Sequence, residues 1–168
     1  MFLWALSMSI APIIVQNWGA GRFDRVDSAL KTAYWFALGW GLFSFIVLFT
    51  AGPVVLTWIS DDPEVVVAAT AHLSILPIGM GLMGVIAIAT SSFNALGRPN
   101  PPLMISVIQM LCLSVPFALI GNEWFGYIGI LWGSVASIFV TAGLSFFWLR
   151  FSIKPDETLI SSDARTAS

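Results

Sequence analysis

Gln16-Asn17-Trp18-Gly19-Ala20-Gly21-Arg22-Phe23-Asp24-Arg25 stands between two long apolar runs, and its reading decides the fold. Upstream, Met1 to Val15 carry almost nothing polar beyond Ser7 and Ser9. Gln16 and Asn17 fall where an apolar helix leaves lipid, and Gly19 and Gly21 supply the positive φ that ends a helix. Asp24 is expected to cap the next helix, with Asp27 three residues on. Arg22 and Arg25 put positive charge at this exit, the mark of a cytoplasmic loop. In a water-soluble chain the same pattern reads as an ordinary helical hairpin, so composition has to decide.

It decides for lipid. Hydrophobic residues make up 58% of the 168 and charged residues 10%, against about 25% charged in soluble domains. The chain therefore reads as an all-α integral membrane protein whose first partner is the bilayer. A net charge of −2, with seven scattered basic residues, excludes a nucleic-acid partner. Cys112 is the single cysteine and sits in an apolar run, so neither a disulfide framework nor a metal site is expected.

Five spans are expected, at about 1–16, 33–58, 78–96, 103–120 and 127–149, all within a helical part covering 1–151. The first lacks the basic start and small-residue cleavage site of a signal peptide. At about 24 Å it falls short of the ~30 Å hydrocarbon core, so it reads as cut at its beginning. Gly52-Pro53 should break or kink the second span. Val65 to Leu96 is too long for one straight crossing, and Pro77 should divide it into an interfacial part holding His72 and a crossing part. Gly97-Arg98-Pro99-Asn100-Pro101-Pro102 is a firm stop, and Gly121 to Gly126 is the next turn. Residues 152–168 are hydrophilic and read as a disordered cytoplasmic tail.

Five spans force the connections to alternate sides. Arg22, Arg25, Lys31, Arg98, Arg150, Lys154 and Arg165 then share one side, while Asp61, Asp62, Glu64 and Glu123 lie on the other. Random assignment would give that segregation roughly once in 64 trials, so the basic side, with the C-terminus, is cytoplasmic and the protein belongs to the inner (plasma) membrane. Trp18, Tyr34, Trp35 and Trp148 mark the inner boundary, and Trp58, Trp124 and Tyr127 the outer one.

Little inside the spans carries chemistry. No Asp, Glu, Lys or Arg falls within a crossing segment, and His72, the one histidine, is the only proton site the sequence offers. Gln16, Asn94 and Gln109 are amides in or beside crossing helices, and they either bond neighbouring helices or face a polar cavity. Gly129, Gly133, Ser137 and Thr141 recur every four residues and form a small packing face on the last span; Ala87, Ser91 and Ala95 do the same on the third. No nucleophile triad, phosphate loop or metal-ligand spacing is present, which argues against an enzyme.

Pro12-Ile13-Ile14-Val15-Gln16-Asn17-Trp18-Gly19-Ala20-Gly21-Arg22, followed by Asp24-Arg25-Val26, resembles the helix-exit pattern of the multidrug and toxic compound extrusion (MATE) transporters. Phe93-Asn94-Ala95-Leu96-Gly97-Arg98-Pro99, Val115-Pro116 and Gly126-Tyr127-Ile128-Gly129-Ile130-Leu131-Trp132-Gly133 follow in the matching order. The resemblance covers about residues 1–150 and implies helices eight to twelve of a twelve-helix, two-lobe exporter, lacking the N-terminal lobe that would be its partner. It implies export of small amphipathic or cationic compounds, with H⁺ or Na⁺ as coupling ion and no cofactor. One departure bears on coupling: some members carry a cation-binding carboxylate in helix ten, where this chain has Val85. The expectation is then that the chain is inactive without the N-terminal helices. Two other functions are weighed beside it: a lipid-linked polysaccharide flippase of the same wider exporter group, and a non-transporting scaffold or assembly subunit that binds partner helices through its small-residue faces.

Overall fold

The computed structural model describes residues 2–59 and 62–153. Residues 154–168, most of the expected tail, lie outside it. Every described element is helical. Helix α1 (Phe2–Gly19) leads into α2 (Phe23–Ile59) and α3 (Pro63–Ala95), and a last helical stretch covers Asn100–Ile153.

The turns explain this order. α1 closes with Arg22 N–H donating to Asn17 O (2.8 Å) and Gly21 N–H donating to Trp18 O (3.0 Å). These are the paired bonds of a Schellman cap around Gly21, whose φ is 68°. α3 ends the same way, through Arg98 N–H to Phe93 O (2.9 Å) and Gly97 N–H to Asn94 O (3.0 Å), with φ 70° at Gly97. Gly19 is the last residue of α1 and has no positive φ. Asp24 is not the cap of α2: it lies inside the first turn, where its charge favours the helix N-terminus. Asp27 instead pairs with Lys31 at 2.5 Å, one helical turn on.

α2 does not break at Gly52-Pro53; it runs on for 37 residues with Pro53 inside it. Gly52 is buried, and a Cβ there would meet the Leu73 side chain at 3.1 Å, so α2 and the first part of α3 are tightly apposed at this level. Asp62 caps α3 by accepting from Glu64 N–H at 3.0 Å. Within α3, a 3₁₀ turn at Leu76–Gly79 separates Pro63–Ile75 from Met80–Ala95.

The stretch Asn100–Ile153 holds 54 residues and is folded in two. Gly126 takes φ 60°, ψ −139°, a conformation a helix cannot contain, and there the chain reverses into α4 (100–125) and α5 (127–153). Gly121 and Gly129 face each other so closely that a Cβ on either would overlap the other's backbone carbonyl. A Cβ on Gly133 would lie 2.5 Å from Phe117 O, one turn further along the same hairpin. The expected turn over Gly121 to Gly126 is thus reduced to one residue.

Met80–Ala95 is the central helix, packed against α1, α2 and α5. Val85, Ile88, Ala89 and Phe93 from this helix join Ile10, Ile14, Val26, Ala37, Ile105 and Leu149 in one buried cluster. Gly41 of α2 touches the backbone of Gly81, leaving no room for a side chain at that crossing. Close backbone approach is how helices associate where lipid removes the usual apolar driving force. The outer faces carry Trp35, Phe43, Ile46, Trp58, Met110, Leu111 and Phe151, all exposed. Among the described residues three helices are long and apolar enough to cross a membrane, Phe23–Ile59, Pro63–Ala95 and the twofold Asn100–Ile153, and α1, with 18 residues, lies beside them.

Candidate functional site

Two opposite faces of the central helix have different tasks. Gly84, Val85, Ile88, Ala89, Ser92 and Phe93 are buried in the core. Met83, Ile86, Ala87, Thr90, Ser91 and Asn94, at spacings of three and four residues, line a groove of about 340 Å³. Trp4, Ser7 and Met8 of α1 form one flank, and Ser106 and Gln109 of α4 the other. A volume of this size lies near the lower end of small-molecule sites.

The groove's polar groups divide into those that hold the frame and those left open. Ser91 Oγ donates to Ser7 O at 2.7 Å, tying α3 to α1. Ser7 Oγ donates to Trp4 O at 2.8 Å and Ser106 Oγ to Pro102 O at 3.0 Å, each within its own helix. Pro12 inside α1 also denies the Met8 carbonyl its usual N–H partner. Thr90, Asn94 and Gln109, by contrast, have no hydrogen bond from their side chains among the described residues. Gln109 lies in a π-helical turn, Ile108–Ser114, a widened geometry often found at functional sites. No charged side chain lines the groove. Its chemistry is therefore a set of neutral donors and acceptors beside an indole and two thioethers, suited to a ligand with apolar faces and a few polar atoms.

Asn94 and Gln109 thus meet across one groove, although they come from different helices. Gln16 does not join them: it is exposed in the last turns of α1. His72 lies on the first part of α3, well away in the chain from the groove-lining face, with its Nδ1 3.5 Å from Tyr127 Oη. Val85 points into the core and away from the groove. Gly129 and Gly133 pack against α4, while Ser137 and Thr141 are buried with their hydroxyls bonded to carbonyls of their own helix, at 2.8 and 2.7 Å. Ser145 continues that run, donating to Thr141 O at 2.8 Å. Among the described residues no group of three His, Cys, Asp or Glu side chains converges to hold a metal ion.

Reading the sequence alone misses Ser7, Thr90 and Ser106 as groove residues. Thr90 was detectable, since it lies four residues before Asn94 on the same helical face; Ser7 and Ser106 depend on which helices become neighbours. Ala87 and Ser91, read as a packing ladder, line the groove as well.

The MatE family model matches residues 1–120 of this chain. An FAD transporter of Shewanella oneidensis is 34% identical over 128 residues, which cover 76% of this chain and 28% of that protein. The multidrug export protein MepA of Staphylococcus haemolyticus is 24% identical over 147 residues, covering 88% of this chain and 32% of MepA. The crystal structure of the Vibrio cholerae MATE transporter VcmN in its bent form superposes with a TM-score of 0.85 at 23% identity, over 90% of this chain and 35% of VcmN. The chain spans about a third or less of the curated relatives it matches.

Proposed function

Because the chain belongs to the MatE family, whose members are multi-pass membrane transporters, we propose that its five helices form part of a multidrug and organic-cation efflux antiporter. The observation that carries this reading is the groove between α1, α3 and α4. There Thr90, Asn94 and Gln109 present unpaired polar groups at membrane depth, where an unsatisfied group is costly unless a ligand or water meets it. In this account an amphipathic substrate lays its apolar faces on Trp4, Met8 and Met83 and its polar atoms on the two amides.

Export against a gradient needs a group whose occupancy by H⁺ or Na⁺ differs between the outward and inward states. The expected spans at 1–16, 33–58, 78–96, 103–120 and 127–149 carry no Asp, Glu, Lys or Arg, and Val85 occupies a buried core position. The coupling site therefore belongs to a facing lobe, against which this bundle rocks about a central cavity. The seven basic residues on one side orient the C-terminus to the cytoplasm of an inner (plasma) membrane.

A second reading concerns the substrate. The groove is uncharged and carries two amides beside an indole, features suited to a planar heteroaromatic compound with donor and acceptor edges, as in a flavin. The similarity to an FAD transporter supports it.

Cells stripped of their own pumps provide the test, with ethidium and FAD followed as alternative substrates. The chain expressed alone should export neither in an ionophore-sensitive way. Co-expression with helices one to seven of a family member should restore export, and the substrate restored decides between the two readings. Ionophore-sensitive export by the chain alone, lost on His72→Ala, would refute this account.

A further inference from the structure

A second cleft lies at the end of the bundle that carries the basic residues, between the start of α2 and the end of α5, and it is separate from the groove. Its rim holds Asp24, Asp27 and Lys31 from α2 and Arg150 from α5, and its volume is about 270 Å³. Asp27 and Lys31 satisfy each other at 2.5 Å. Asp24 and Arg150 form no ion pair among the described residues, so one carboxylate and one guanidinium are left on opposite walls of the cleft. Below them lies an apolar floor that includes Phe146, in edge contact with Tyr34 at 5.5 Å between ring centroids. Tyr34 is 9% exposed, and its hydroxyl has no hydrogen-bond partner. Buried hydroxyls are nearly always paired, so this one calls for an acceptor from outside the described chain.

We propose that this cleft binds the headgroup of a phospholipid bearing both a primary ammonium and a phosphate, a phosphatidylethanolamine. The charge pattern selects it: three ammonium N–H groups suit the Asp24 carboxylate, and the Arg150 fork suits the phosphate. Tyr34 Oη donates to a phosphate or glycerol-ester oxygen, which completes its bonding. The acyl chains continue from the apolar floor onto the exposed outer faces of α2 and α5. Phosphatidylcholine has no ammonium N–H to offer Asp24, and phosphatidylglycerol has no cation to pair with it.

Thermal unfolding of the purified full chain in detergent, with each lipid added in turn, tests this. Phosphatidylethanolamine should raise Tm by roughly 3 °C, whereas phosphatidylcholine, phosphatidylglycerol and soluble phosphoethanolamine should leave it unchanged. Asp24→Asn and Arg150→Gln, both exposed positions, should each abolish the rise. Tyr34→Phe should reduce the rise while leaving the lipid-free Tm unaltered, which a merely structural tyrosine would not do. Equal shifts with all three lipids, or a full shift in the Asp24→Asn, Arg150→Gln double variant, would overturn the proposal. A rise that appears only after residues 154–168 are removed would make the tail the occupant and would overturn it too.

Discussion

Ser91 of the central helix donates its hydroxyl to the backbone carbonyl of Ser7, 84 residues away, at 2.7 Å. This bond joins two of the three helices that line the groove, and Thr90 and Asn94 line it beside the bonded serine. Ser91→Ala should lower stability by about 0.6 kcal/mol, the usual scale for a hydrogen bond between membrane helices. Differential unfolding in detergent reads the change; no loss of stability would show that α1 is held by packing alone.

The hairpin of α4 and α5 should be far less forgiving. A side chain at Gly133 meets the Phe117 carbonyl, and backbone cannot move aside as a flexible side chain can. Gly133→Leu is expected to cost about 3 kcal/mol or more and to open the hairpin to protease. Gly143→Leu lies on the same helix with nothing within 4 Å of its Cβ position. It should leave both readouts unchanged, so equal damage from the two substitutions would count against the close contact.

How far the sequence discloses this molecule depends on whether a feature is local. Gly21 is legible as a helix end because a glycine after an apolar run can take the positive φ that ends one, and the stop after Ala95 is legible from the three prolines at 99, 101 and 102. The membrane-embedded helical fold is legible from 10% charge together with apolar runs close to the ~20 residues a crossing helix needs. Pro53 leaves a break and a kink both open on sequence, and the structure excludes the break, since α2 runs on through it with Gly52 packed on Leu73. The groove is only half legible. Asn94 and Gln109 stand out as amides in apolar runs, but their meeting across the groove depends on helix packing. The π turn that carries Gln109 has no local signal.

Orientation is testable without purified protein. A reporter fused after Ser168 should be cytoplasmic and one inserted at Asp62 external, because the five-span reading puts all seven basic residues on the side of the former. External activity at the C-terminus would reverse the orientation.

His72 Nδ1 lies 3.5 Å from Tyr127 Oη, and His72 takes no part in lining the groove. In a transporter reconstituted from this chain and a facing lobe, His72→Ala should therefore keep ethidium efflux within about twofold of the parent. A complete loss would move the coupling site onto α3.

The central claim is that the groove between α1, α3 and α4 is a substrate surface, and ligand binding by the purified chain tests it most directly. Fluorescence anisotropy of ethidium, with FAD as competitor, should show saturable binding to the chain in detergent. The Asn94→Leu, Gln109→Leu double variant should weaken it by roughly tenfold, the scale of two lost hydrogen bonds. Binding unchanged in the double variant, or no saturable binding by the parent chain, would contradict the account.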